Sequence, residues 1–176
     1  MKYDILVDMD GVLADFDKSV MGVLGPVERR NFYIADDYVR EHGEDAAQES
    51  WAVCNRPGFF QDLDPIEGAI DGMRALLSHP KVGNVAICTK PLVRNPTCKE
   101  DKVYWLRVHL PFFRGDVHLV GDKTRVNGSY LIDDKPNIPQ GNWRQVIFDH
   151  TYNHSSLLQD KNRIRMMGWS DLSWLT

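Results

Sequence analysis

The chain is 176 residues long, 43% hydrophobic and 26% charged, with a formal net charge of −4 at pH 7. That length holds one medium domain, with room for a modest insertion, around a single core. The acidic balance argues against a broad footprint for duplex nucleic acid or a membrane surface, yet leaves room for a small anion in a locally positive pocket. No apolar run approaches the roughly 18 residues of a membrane span, and the N-terminus runs into strand-like sequence without a basic leader. The three cysteines, Cys54, Cys88 and Cys98, are odd in number and form no CxxC pair, so they read as thiols of a reducing compartment. A cytoplasmic location is the expectation.

The first predicted element is the run YDILV at 3–7, ended by Asp8. Four more short apolar runs follow, at 84–89 (NVAICT), 117–120 (VHLV), 130–132 (YLI) and 146–148 (VIF). Near-continuous apolar runs of this length suit strands buried on both faces of a parallel sheet. Residues 16–60 break the rhythm: they carry no strand, several helical stretches and many aromatics, and read as a small helical cap inserted after the first strand. Asp15 and Asp17 would start its first helix. The charged run at 40–45 reads as a solvated face.

Two crossover helices are predicted next. One spaces Ile66, Ile70, Met73 and Leu77 between Pro65 and Pro80, and the other spaces Val103, Leu106 and Leu110. The tail MMGWSDLSWLT is expected to pack on the core, with Trp143, Trp169 and Trp174 as core residues. His150 and His154 are four apart, lack an obvious third ligand, and read as structural. Strands alternating with helices predict an α/β fold: a Rossmann-like parallel sheet with helices on both faces. The core would span 1–15 and 61–176, and the cap 16–60, over the edge where such sheets bind ligands.

Four motifs carry chemistry. In DMDG, Asp8 ends the first strand, where a carboxylate can attack phosphorus and form an aspartyl-phosphate. An anion attacking an anion needs a neutralising cation, and Mg²⁺ with oxygen ligands supplies one. Asp10, two residues on, can protonate the departing alkoxide and later activate water, while Gly11 permits the sharp turn between them. Thr89 closes the second run and can donate to a phosphoryl oxygen, with Lys90 adding charge. Lys123 in GDKT can hold a phosphate beside the nucleophile. Asp133 and Asp134 should repel each other directly after YLI unless a divalent cation or Lys123 compensates them. Taken singly, these motifs also fit a plain Asx-turn, a strand-end hydroxyl, a surface lysine and a polar loop start. In a parallel sheet, all of them converge on one edge.

The order DxDG, Thr, Lys, DD resembles the haloacid-dehalogenase (HAD) superfamily of aspartate-nucleophile phosphotransferases. DMDGVLADF, RRNFYIADDY, PGFFQDLDPIEGAIDGMRALL, ICTKP, DKVYWL, GDKT and LIDDKPN together resemble its 5'(3')-deoxyribonucleotidase branch, over most of the chain. The resemblance implies Asp8 as nucleophile and Asp10 as acid/base, its backbone carbonyl also ligating Mg²⁺. It implies Thr89 and Lys123 as phosphate clamps, and Asp133 and Asp134 as the acidic pair of the metal site, Asp134 the favoured direct ligand. Phe16, Phe32, Tyr33 and Trp51 match positions lining the nucleoside pocket, where flat rings sandwich a pyrimidine or pack a deoxyribose; the backbone near Ile34 would read the base edge. Packing of the cap is the other reading of these rings.

The sequence departs from animal members in Lys90, in Gly121 two residues before Lys123, in Tyr33 for a bulkier indole, and in a shorter cap. These departures touch substrate choice. The expectation is a Mg²⁺-dependent phosphomonoesterase for nucleoside 5'- or 3'-monophosphates, with pyrimidine deoxyribonucleotides such as dUMP and dTMP favoured. Other small phosphoesters, a nucleic-acid 3'-phosphate end, or a non-catalytic binding module are the rivals. As partners the reading admits a nucleoside monophosphate and a homodimer, and excludes membrane and duplex nucleic acid.

Overall fold

In the computed structural model, which describes residues 2–157 and 163–175, six short strands pair into one sheet. They are β1 (Tyr3–Val7), β2 (Val82–Thr89), β3 (Val117–Leu119), β4 (Tyr130–Asp133), β5 (Arg144–Phe148) and β6 (Ile164–Met166). The order is β3-β2-β1-β4-β5-β6, with every neighbouring pair parallel. The chain builds outward from β1 to β3, then crosses back to β4 and builds the other way. The order therefore reverses between β1 and β4, the kind of switch point where open α/β sheets form their ligand crevice.

Alternation along the strands divides the interior. Ile5, Val7, Val85, Ile87, Ile132 and Val146 face one large apolar cluster, whereas Leu6, Cys88 and Leu131 face a smaller one. The large cluster is covered by α4 (Ala69–Ser78) and α5 (Cys98–His109). Its members also include Val20, Ile34, Tyr38 and Val53 from α1 (Phe16–Leu24), α2 (Ile34–His42) and α3 (Asp45–Cys54). The helical stretch between β1 and α4 thus shares the sheet's core.

The second face is covered differently from expectation. Val120, Val126, Ile138 and Trp143 pack there, and residues 120–129 hold only a 3-10 turn, Lys123–Arg125. The β3–β4 and β4–β5 connections are ten residues each, shorter than the dozen or so that a crossover with a full helix needs.

Both crossover helices are rotated relative to their predicted stripes. In α4 the buried residues are Ala69, Gly72, Met73 and Leu76, and Leu77 is exposed. The cause lies in the tail: Trp169 sits against Gly72, where an added Cβ would come within 2.5 Å of its ring, so a helix glycine makes room for an indole. Trp169 also donates its indole N–H to Val12 O at 2.7 Å. In α5 the buried set is Cys98, Asp101, Lys102, Trp105 and Leu106, which places a lysine on the inner face. Trp143, Trp169, Trp174 and Leu175 are buried, as expected of core residues. The strand β6 was not anticipated: alternating Arg163, Ile164, Arg165 and Met166 reads as a polar stretch, yet suits an outer strand with one wet face.

Candidate active site

The strand β1 delivers Asp8 to the switch point, where its N–H donates to Ile132 O at 2.9 Å and extends the β1–β4 ladder by one residue. The chain then turns sharply. Met9 O accepts from the N–H groups of Val12, Leu13 and Ala14 at 3.1, 2.7 and 2.9 Å, so one carbonyl organises the loop that carries Asp10. Gly11 has φ +74°, and a Cβ there would fall 2.3 Å from Asp134 Oδ2. The glycine is therefore required twice, for its backbone conformation and for the closeness of the acidic pair.

The side chains of Asp8, Asp133 and Asp134 converge, each offering a carboxylate oxygen within 4.8 Å of the others. Lys123 enters from its 3-10 turn after β3 and bridges two of them, its Nζ 2.7 Å from Asp8 Oδ2 and 2.6 Å from Asp133 Oδ2. Trp143 Nε1 donates to Lys123 O at 3.4 Å, so the second-face core holds this lysine in place. Burial opposes the charge on Lys123, but Asp133 and Asp8 outweigh it and push its pKa up, so it stays protonated. Asp133 is raised by burial, with Lys123 pulling it down and Asp8 pushing it up. Asp134 is raised further, by burial and then by repulsion from Asp133 and Asp8. A buried cluster so short of positive charge fits a hard divalent cation with oxygen ligands.

Asp10 is not part of this trio through its carboxylate. Both of its oxygens lie 2.7 Å from Lys102 Nζ, which also donates to Thr89 Oγ1 at 3.2 Å. Lys102 is fully buried, while the Asp10 side chain is 29% exposed and opens to solvent. Burial raises the Asp10 pKa, Lys102 opposes that, and Asp8 adds to it, for a net upward shift. In formal charge, the trio Asp8, Asp133 and Asp134 against Lys123 leaves two negative charges, the charge of one divalent cation.

The predicted aromatic residues divide into two groups. Phe16 packs on Phe59 and Phe60 at centroid distances of 5.4 and 6.1 Å, and Lys102 Nζ stands 4.9 Å from the Phe60 ring. Phe32, Tyr33 and Trp51 form a second group: Phe32–Tyr33 at 5.1 Å and Tyr33–Trp51 at 6.4 Å. Tyr33 is half-exposed, and Lys135 Nζ lies 5.3 Å from the Phe32 ring and 5.8 Å from that of Tyr33. The Ile34 side chain is buried in the apolar cluster, so only its backbone is left for recognition; as the first residue of α2, its N–H has no intrahelical acceptor. Lys90 is exposed, and its charge acts on Asp122. Thr89 is buried beside Lys102.

Reading the sequence by apolar periodicity missed Lys102, because a lysine between Asp101 and Val103 looks like the wet side of a helix. Trp105, three positions on and buried, was the available signal for the inner face. It also missed Tyr152, whose hydroxyl donates to Asp134 Oδ2 at 2.5 Å. His150, read as structural from the sequence, donates Nε2–H to Gly11 O at 2.6 Å.

A family model described as "5' nucleotidase, deoxy (Pyrimidine), cytosolic type C protein" matches residues 2–175. The human protein named 5'(3')-deoxyribonucleotidase, cytosolic type, is 36% identical, with 95% of this chain and 89% of that protein aligned. A Bordetella pertussis protein named putative 5'(3')-deoxyribonucleotidase is 35% identical over 96% of this chain and 94% of its own length. Among solved structures, a haloacid dehalogenase-like hydrolase from Streptococcus pneumoniae shares the fold with a TM-score of 0.55 at 12% identity, covering 99% of both chains. A HAD family hydrolase from Deinococcus radiodurans with bound phosphate and sodium gives 0.52 at 15% identity, covering 93% of this chain and 90% of its own.

Proposed function

This chain belongs to the 5'(3')-deoxyribonucleotidase family of HAD-type phosphatases, and from that premise we propose that it hydrolyses pyrimidine deoxyribonucleoside monophosphates, such as dUMP and dTMP, in a Mg²⁺-dependent reaction through an aspartyl-phosphate on Asp8. The observation that carries the proposal is Asp8 at the switch point, joined to Lys123 at 2.7 Å and facing Asp133 and Asp134.

Asp8 attacks phosphorus, and the bond from phosphorus to the sugar oxygen breaks. Asp10 gives its proton to that oxygen, a role suited by its upward-shifted pKa. Asp10 then takes a proton from water, which attacks the phosphorus of phospho-Asp8; inorganic phosphate leaves and the carboxylate is restored. Lys123 and Thr89 hold the phosphoryl oxygens. Lys102 acts through Asp10, aiming its carboxylate and moderating its rise in pKa. Asp8, Asp133, Asp134 and the backbone carbonyl of Asp10 would hold Mg²⁺, which when bound neutralises the phosphate and nucleophile charges. Phe32, Tyr33 and Trp51, with Phe16 as a separate wall, offer flat apolar surface for base and deoxyribose. Among the described residues no helix is long and apolar enough to cross a membrane; with a relative named cytosolic, a cytoplasmic location is part of this reading.

A phosphate-release screen over ribo- and deoxyribonucleoside monophosphates tests it. We expect dUMP and dTMP to rank above sugar phosphates, and Asp8→Asn to lose activity by roughly 10⁴-fold or more with its melting curve intact. Comparable rates on sugar phosphates would refute the substrate reading, and an active Asp8→Asn the mechanism.

A further inference from the structure

On the reading of Asp134 as a metal ligand, we infer that Tyr152 is a positioning residue that joins the metal-site carboxylate to the aromatic wall of the helical insertion. The stretch His150–Thr151–Tyr152–Asn153 leaves β5 and turns back across the carboxyl end of the sheet. It contacts both turns of the site. His150 Nε2 donates to Gly11 O at 2.6 Å, next to Asp10. Asn153 Nδ2 donates to Asp134 O at 2.9 Å and to Phe148 O at 2.8 Å. Tyr152 lies between them and donates its hydroxyl to Asp134 Oδ2 at 2.5 Å. Asp134 is thus gripped by side chain and backbone from one short segment.

The ring of Tyr152 is in turn held by the insertion. Arg29 Cζ stands 4.5 Å from its centroid, Phe32 meets it edge-on at 6.0 Å, and His150 stacks on it at 4.9 Å. Thr151 Oγ1 donates to Arg29 O at 3.0 Å, so the backbone of the insertion is tied down beside the ring. Arg29 is itself fixed by Asp17 and Asp37. The result is a continuous set of contacts, Asp37–Arg29–Tyr152–Asp134, from the charged centre of the insertion to the acidic trio.

A tyrosine buried only for packing needs any nearby acceptor for its hydroxyl. This one is spent on a carboxylate that faces Asp8 and Asp133 across less than 4.8 Å. Hydrogen bonds from such partners orient ligand carboxylates, and losing one typically weakens metal binding about 10- to 100-fold. The same ring borders Phe32, so the insertion reaches its seated position against a residue that also sets Asp134.

Mn²⁺ titrated into the metal-free full chain, followed by calorimetry, tests this in wild type, Tyr152→Phe and Asp134→Asn. Tyr152→Phe keeps every ring contact and removes only the hydroxyl. We expect its Mn²⁺ affinity to fall about 10- to 100-fold and its metal-free melting temperature to stay within a few degrees. Asp134→Asn should lose measurable binding. Wild-type affinity in Tyr152→Phe, with binding lost in Asp134→Asn, overturns the role of Tyr152 and leaves the metal site standing. Wild-type affinity in Asp134→Asn overturns the metal-site reading itself. A second readout needs no variant: Mn²⁺ should slow amide hydrogen exchange in residues 29–33 of the wild-type chain at least about twofold, a protection that orders the segment against Tyr152. Unchanged exchange there overturns the link to the insertion.

Discussion

Two buried acidic centres in this molecule are compensated in opposite ways. Asp37 in α2 is fully buried and surrounded by donors. It accepts from the N–H groups of Arg30 and Asn31, from Asn31 Nδ2 at 2.8 Å, and from the guanidinium groups of Arg29 and Arg40. Burial alone would raise its pKa, but the bonds from Asn31, Arg30 and Arg29 outweigh it and hold the carboxyl below the ordinary value. Asp133 and Asp134 are also buried, Lys123 bridges Asp133 and Asp8, and both carboxyls are shifted upward. A carboxylate supplied with all its donors is structural. A cluster left short of positive charge is arranged for a ligand that brings the charge with it.

That contrast can be broken from either side. The largest stability effect should come from Asp37→Ala, which leaves two arginines without their buried partner. A loss of about 3–5 kcal/mol, or a fall in melting temperature of about 10 °C, is expected in a thermal melt, and Mg²⁺ should not restore it. Asp134→Asn should act in the opposite direction. Removing one of three repelling charges is expected to stabilise the metal-free protein by about 1 kcal/mol while abolishing phosphate release. A destabilised, active Asp134→Asn would remove the distinction between the two centres.

The last effect is graded by pH and concerns His150, whose pKa is lowered from 6.5, first by burial. A depressed folded pKa means that protonation favours the unfolded chain. Its contribution is complete above pH 6.5 and is lost as pH falls through 6.5 towards the folded value. The slope is at most about 1.4 kcal/mol per pH unit. Melting temperatures between pH 8 and pH 5 should show this slope in wild type and lose that part of it in His150→Gln.

The same contrast explains what could be read in advance. Asp8, Thr89, Asp133 and Asp134 were legible because each closes or follows a short apolar run, and a parallel sheet brings such ends together. Asp15 was legible as a helix start, and its carboxylate accepts from Lys18 N at 3.0 Å. Asp17 exceeds that expectation by pairing with Arg29. The run 40–45 is not wholly a solvated face, since Arg40 turns back to Asp37.

Lys102 and Tyr152 were not legible for a shared reason. Each is a polar residue on an inner surface, and apolar periodicity assigns such residues to solvent. The faces of α4 and α5 were misplaced on the same account. Gly72 and Lys102 carry no apolar signal, although one receives Trp169 and the other holds Asp10. The aromatic residues were found as a set, but their division around Phe16 and around Phe32 depends on tertiary packing that spacing does not encode.

The central claim is that the charge deficit of Asp8, Asp133 and Asp134 is filled by a divalent cation during phosphate transfer. Phosphate release from dUMP by the full chain, measured after treatment with EDTA and again after adding back Mg²⁺, tests it most directly. Activity should vanish with EDTA and return with Mg²⁺. Undiminished release in EDTA would contradict the account.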